Sequence, residues 1–359
     1  RQRKAASRST LPPRSTLPPH SKFRHRYNSS MLILSESDLR AVLTMRDVIA
    51  AVEDGFRALA CGNAYVPERL HMNLPAQNGV LLEMPAYIGS SDDAAHSALG
   101  TKTVTVFEGN VERGLGAVQG VYLLLDVETG VPISLMEGRF ITAIRTAATS
   151  AVATKFMASP GRKRLAVFGA GMQARFHIEA MLEVAEVESV LIASRSSESA
   201  NALADHVRKT HDLPCEVVSA ERAAASANLI CTCTSSREAL FNGSLIGDGT
   251  HINSVGAFTP QTRELDTDTI RKARVIIDDV SAAGREAGEI LIPISEGAID
   301  ASHVKGTLAQ VVSGTIGGRE EASEITVFKS CGLAIEDLVT ARLAYSRATA
   351  TGVGIHVPI

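Results

Sequence analysis

The sequence contains no tryptophan, and aromatic residues make up only 4% of its 359 positions. Any core must therefore be filled by Ala, Val, Leu and Ile, a composition common among α/β enzymes. No apolar run approaches the roughly 18 residues that a membrane-spanning helix needs, so no membrane partner is expected. The cysteines are odd in number and scattered: Cys61, Cys215, Cys231, Cys233 and Cys331. Such spacing suits neither a disulfide framework nor a metal site, and Cys231 and Cys233 alternate along an expected buried strand. Free thiols in a reducing, cytoplasmic setting are expected, with no metal.

Acids are missing altogether from residues 1–30, which carry Arg1, Arg3, Lys4, Arg8, Arg14, Lys22, Arg24 and Arg26. With a net charge of -3 over the whole chain, the remainder is clearly acidic. That excludes nucleic acid as the main partner, because phosphate binding needs a basic face on the folded body. The head repeats Arg-Ser-Thr-Leu-Pro-Pro at 8–13 and 14–19 and has hardly any apolar periodicity, so it is expected to be disordered. A transit peptide, a nucleic-acid arm and translation from an over-extended start all fit its composition. The Pro pairs count against the first, and Met31, standing directly before the first patterned segment, favours the last.

What is present fits a two-domain α/β protein, since single cores stop growing near about 250–300 residues. Ser35 and Asp38 are spaced as a capping pair, and Thr44 and Asp47 open a second helix with an apolar stripe at Val48, Ile49, Val52, Phe56 and Leu59 that Gly62 ends. Strands are expected at Gly79 to Ile88, Leu99 to Phe107 and Val118 to Val127, the last joined through Glu128-Thr129-Gly130 to Val131 to Met136 as a hairpin. A helix from Thr142 to Met157 leads into the linker Ser159-Pro160-Gly161. Beyond it, six short apolar runs begin at Leu165, Val190, Cys215, Leu229, Ile252 and Val275. Helical or loop stretches separate them, which is the alternation of a doubly wound parallel sheet. A last helix at Ile335 to Tyr345 is expected to return to the N-terminal region.

Arg164-Leu-Ala-Val-Phe-Gly-Ala-Gly-Met-Gln-Ala174 runs from strand through Gly-x-Gly-x-x-Ala into an amphipathic helix. Gly169 permits the tight turn, Gly171 lets backbone approach a pyrophosphate, and Ala174 allows close helix packing. At the end of the following strand stands Ser194-Arg195-Ser196, with no acid to hold the ribose hydroxyls of NAD. A cation flanked by hydroxyls suits a 2′-phosphate, making NADPH the preferred cofactor with NADH also usable. The alternative is a solvated loop arginine. Three further cations stand in patterned segments: Arg69, Lys102 and Arg145. Lys102 lies within an apolar strand, where a charge needs a partner or a function.

Four motifs together resemble one family: Thr142-Ala-Ile-Arg-Thr-Ala-Ala-Thr-Ser-Ala-Val152, Gly100-Thr-Lys102, the Gly-x-Gly-x-Gln form of the dinucleotide loop with Met172 and Gln173, and Ser330-Cys-Gly-Leu-Ala-Ile-Glu-Asp337. In order and spacing, from about Met31 to near the C-terminus, they look like the ornithine cyclodeaminase and mu-crystallin family. The resemblance implies that Arg69 and Arg145 bind a substrate carboxylate and that Lys102 works at the reacting nitrogen. It also implies that Thr234, Val255 and Ser330 border the nicotinamide. It further implies a Rossmann domain at 152–328, and a substrate-binding and dimerising domain from 31–151 with 329–359.

One departure separates members. Cyclodeaminases of the family carry a catalytic Asp just before the Pro of a Val-Gly-x-Asp-x-Pro stretch, whereas this chain reads Val255-Gly-Ala-Phe258-Thr-Pro260. Phe258 takes no proton, so loss of ammonia is disfavoured. The form is similar to ketimine reductases of the family, which reduce Δ1-pyrroline-2-carboxylate to L-proline, with a six-membered cyclic imino acid as a further substrate. Phe258 would then line the ring pocket. A cyclodeaminase, an alanine dehydrogenase-type enzyme and a non-catalytic mu-crystallin-like ligand carrier remain the alternatives.

Overall fold

The computed structural model describes residues 30–89 and 97–359. The basic head therefore lies outside the described residues, except that its last residue, Ser30, belongs to a strand.

The first half runs β1 (Ser30–Leu34), α1 (Glu36–Val42), α2 (Met45–Ala60), β2 (Ala64–Tyr65), β3 (Leu70–Leu74), β4 (Gly79–Ile88), β5 (Ala98–Phe107), β6 (Val118–Leu125), β7 (Pro132–Glu137) and α3 (Gly138–Met157). Next come β8 (Lys163–Phe168), α4 (Met172–Val184), β9 (Val187–Ala193), α5 (Ser197–His211), β10 (Cys215–Val217), α6 (Ala220–Ser226), β11 (Leu229–Thr232) and β12 (His251–Ser254). The chain closes with α7 (Thr267–Lys272), β13 (Arg274–Ile277), α8 (Val280–Glu286), α9 (Gly288–Ser295), β14 (Val304–Thr307), α10 (Leu308–Val312), β15 (Thr326–Lys329), α11 (Ala334–Thr351) and β16 (Ile355–Pro358).

The expected helix caps are formed. Ser35 and Asp38 exchange side-chain and backbone hydrogen bonds as a capping box, and Thr44 accepts from the Asp47 amide. On α2 the stripe of Val48, Ile49, Val52 and Phe56 is buried. The helix expected from Thr142 begins earlier, at Gly138, because the Glu137 carboxylate caps it through the amides of Arg139 and Phe140. A side chain at 138 would meet the backbone of Gly120 at 2.6 Å.

The first sheet has the order β16-β1-β7-β6-β5-β4-β2, with β3 also on β4. The sequence pattern predicts an antiparallel region; β1 instead pairs parallel with β7, and β16 pairs antiparallel with β1. Both strands are short, and exposed β16 has no buried face to mark it. Helices α2, α3 and α11 pack together against this sheet, and α11 returns to it as expected.

The second sheet is wholly parallel, in the order β10-β9-β8-β11-β12-β15-β13-β14. All six expected strands are present, but two more occur, and β15 enters between β12 and β13. It ends on the fully buried Lys329, whose charge breaks the apolar run that sequence patterning relies on. Strand order reverses between β8 and β11. That is the switch point where open α/β sheets leave a crevice at their carboxyl ends. Between the two sheets α3 is buried on nearly every side by small residues, and one continuous apolar core passes from Leu32 and Val48 through Ala147 and Ala151 to Leu165 and Val190. Among the described residues no helix is long and apolar enough to cross a membrane.

Candidate functional site

At the carboxyl ends of β8, β9, β11 and β12 lies a cavity of about 830 Å³, closed on its far side by α3 and the 330–332 loop. Gly169 turns out of β8 at φ +105°, and a Cβ there would stand 2.6 Å from the Cys233 carbonyl oxygen. Glycine is thus required on both conformational and steric grounds. Gly171 caps α4, and nothing lies within 4 Å of where its Cβ would be. The free amides of that helix start face open space, as an anion requires. Gln173 also lines the cavity, and its buried Oε1 has no hydrogen-bond partner among the described residues. A dinucleotide pyrophosphate fits this cradle.

Further along the same wall stand Ser194 and exposed Arg195. Ser196 is set back from it, capping α5 through the Ser199 amide. Met172 faces an adjoining groove beside Gly171 and Arg175. Thr234, Val255, Ser330 and Phe258 all line the main cavity, Phe258 being 43% exposed at its surface.

The Thr234 edge is fastened by a group to which sequence patterning assigns no role. The Glu264 carboxylate, fully buried, accepts from the Thr234 amide and hydroxyl, the Thr232 hydroxyl and the Gly256 amide, each at 2.7 Å. Burial pushes its pKa up, and the Thr234 hydrogen bond opposes that shift. Asp278 does the same for the opposite loop, accepting from the amides of Cys331 and Gly332 at 2.5 and 2.6 Å.

The three cations fall at different depths. Arg145 is on the cavity wall, with Nε 2.9 Å from Asp337 Oδ1 and Nη1 2.6 Å from Glu336 Oε2. Lys102 is not on the wall but buried behind it, its Nζ 2.7 Å from Asp337 Oδ2. Arg69 lines a small adjoining cavity of about 70 Å³, which shares Gly332 with the main one. It forms a two-pronged pair with Glu286 and donates to the Cys331 carbonyl.

Lys102 and Arg145 are thus joined through one carboxylate, whereas Arg69 approaches from the side. Burial, aided by the neighbouring Arg145, lowers the Lys102 pKa to about 8 against the opposing pull of Asp337. Burial alone would lower Arg145 as well, but the charges of Asp337 and Glu336 outweigh it and hold the guanidinium firmly protonated. Glu336 is raised by burial to about 7. Sequence patterning assigns no role to Asp337, Glu336 or Glu286; their signal is the buried cations themselves, each of which demands a carboxylate. No His, Cys, Asp or Glu group among the described residues forms a metal site.

The pattern of the ornithine cyclodeaminase/mu-crystallin family matches residues 29–352. A Delta(1)-pyrroline-2-carboxylate reductase of Bacillus cereus is 35% identical over 329 residues, covering 91% of this chain and 99% of that protein. Among solved structures, the Delta(1)-pyrroline-2-carboxylate reductase of Thermococcus litoralis, in complex with NADH and L-proline, is similar with a TM-score of 0.88 and 41% identity, over 91% of this chain and 100% of that one. An archaeal alanine dehydrogenase dimer with bound NAD gives a TM-score of 0.85 at 31% identity, over 91% and 99% of the two chains. With a family pattern spanning most of its length and relatives matched almost end to end, the chain belongs to the ornithine cyclodeaminase/mu-crystallin family.

Proposed function

We propose that this protein is a nicotinamide-dependent ketimine reductase that converts Δ1-pyrroline-2-carboxylate to L-proline. The observation that carries the proposal is the placement of Arg145, with Lys102 behind it on a shared carboxylate, across one cavity from the Gly169–Gly171 cradle. The similar reductases of Bacillus cereus and Thermococcus litoralis support the choice of substrate.

A reduced nicotinamide dinucleotide held by the Gly169–Gly171 cradle, with Thr234, Val255 and Ser330 bordering its nicotinamide, would supply hydride chemistry, for which C2 of the imine is the acceptor. Arg145 and Arg69 hold the substrate carboxylate, Arg69 by exchanging Glu286 for it. Lys102, an ammonium at neutral pH, holds or supplies the proton at the imine nitrogen, which makes the C=N bond a good acceptor. Phe258 offers the ring an apolar face and no carboxylate, so amine loss has no base there. Arg195, with Ser194 beside it on the cavity wall, favours NADPH over NADH.

A homodimer is supported by the uncovered face of the first sheet, where Leu70, Met72, Tyr87 and Val121 are exposed. The free state of all five cysteines supports a reducing compartment such as the cytoplasm.

The test is oxidation of NADPH against five- and six-membered cyclic 2-imino acids, beside ornithine with NAD and alanine with NAD. Proline formation without ammonia release from ornithine is expected. Robust ammonia from ornithine would return the chain to the cyclodeaminases, activity on alanine alone to the alanine dehydrogenases, and cofactor binding without any turnover to the ligand carriers.

A further inference from the structure

Lys102 sits opposite Tyr122 on β6 and Met84 on β4, and its ammonium points away from both strands toward the start of α11. The charged and titratable groups around it are Asp337 and Glu336 from α11, Arg145 from α3 and the buried Tyr122 from β6. Two cations buried side by side repel, and each weakens the other's hold on its proton. The two carboxylates that offset this repulsion do different work. Glu336 spends one oxygen on the Leu333 amide at the helix start, 3.1 Å away, and one on Arg145. Asp337 gives one oxygen to Lys102 and the other to Arg145, and it has no exposure to water. Its place in the first turn of α11 also favours a negative charge.

We propose that Asp337 is a positioning residue: by holding Lys102 with one oxygen and Arg145 with the other, it sets their spacing and keeps Lys102 charged for proton delivery. The inference rests on the role given to Lys102 above. Asp337 touches neither substrate nor cofactor; it acts through the two cations. As Lys102 releases its proton to the imine, the remaining amine stays within reach of the same carboxylate, which favours its reprotonation from solvent.

The experiment compares the wild-type protein, Asp337→Asn and Asp337→Glu. The readouts are NADPH oxidation with Δ1-pyrroline-2-carboxylate across pH, dinucleotide affinity by fluorescence, and the Lys102 resonance in protein labelled with ε-13C-lysine, identified through Lys102→Arg. In the wild type, activity falls as Lys102 loses its proton on the alkaline side. Asparagine removes the anion that favours the ammonium, so the alkaline limb and the Lys102 titration should both move at least about one pH unit lower. Turnover should fall about 100-fold, with dinucleotide affinity within about twofold. Glutamate keeps the charge on an arm one methylene longer, so the limb should stay in place while turnover drops about tenfold.

An unmoved limb and an unmoved Lys102 titration in Asp337→Asn would overturn the inference. Should that variant fail to fold, Asp337→Glu decides, and wild-type turnover there would overturn it. If the Lys102 titration moves but no variant, nor the wild type, reduces a cyclic imine, the positioning of Lys102 stands and the assigned reaction fails.

Discussion

Two walls face each other across the cavity. The wall built by β8, β9, β11 and β12 offers turned backbone, small side chains and a single charged group, the exposed Arg195. The wall built by α3 and the 330–332 loop carries Arg145, which α11 ties from behind into a buried cluster of two cations and two carboxylates. On the proposed reading the first wall recognises its ligand by shape and free amides, and its cradle lies within a few residues of sequence. On the same reading the second recognises by charge, and its parts meet only after the chain has folded. Shape tolerates solvent, whereas buried charge works because water is kept away from it.

On the proposed mechanism, loss of the cation buried behind the charged wall is the hardest blow to it. Lys102→Ala should lower turnover by about 10²–10⁴-fold while dinucleotide affinity is kept. Steady-state kinetics beside fluorescence binding checks it, and a parallel fall in both would erase the division between the walls.

Next in size is an effect at the joint behind the cradle. His177 on α4 is fully buried against Ser150 of α3, and burial lowers its pKa to about 4. The folded protein keeps it neutral while the unfolded chain protonates it near its ordinary value, about 6.5. Stability present above that pH is therefore lost progressively as pH falls from about 6.5 to about 4, by about 3 kcal/mol in all. Denaturant melts of the wild type and His177→Gln across that range should show a shallower acid loss in the variant.

A smaller loss is expected at the turn itself. Gly169→Ala places a methyl 2.6 Å from the Cys233 carbonyl at a positive φ, which should cost about 1–3 kcal/mol in cradle geometry and weaken the dinucleotide accordingly. Titration of the variant with NADPH measures it. The mildest change sharpens the contrast, because it converts the one charge on the shape wall. Arg195→Asp should shift the NADPH-to-NADH preference by about tenfold, read from the ratio of kcat/KM values, with the Δ1-pyrroline-2-carboxylate KM nearly unchanged.

The contrast between the walls also explains what is legible in the sequence. The cradle, the two N-terminal caps and six strands of the parallel sheet declare themselves within a few residues, since turns, caps and strand periodicity are local. The partners of the cations do not. Lys102 and Asp337 are 235 residues apart, and Arg69 and Glu286 are 217 apart. Glu264 likewise sits in a loop, and its four hydrogen bonds arise only when β11 and β12 lie side by side. Strand β15 is hidden for the same reason: the charge of Lys329 is tolerated because fully buried Glu289 stands 3.1 Å away and the Ala257 carbonyl accepts from its ammonium.

Helix α3 has a consequence for how the molecule comes apart. Both sheets share it as a common wall, its small Ala, Ser and Thr residues fit closely between neighbours, and its buried polar groups are paired, Ser150 with His177 and Thr154 with Asn253. Neither half can shed this helix without exposing its own interior, so the two layers should lose their structure together. Calorimetry would then record one heat-absorption peak where two separately stable modules would give two.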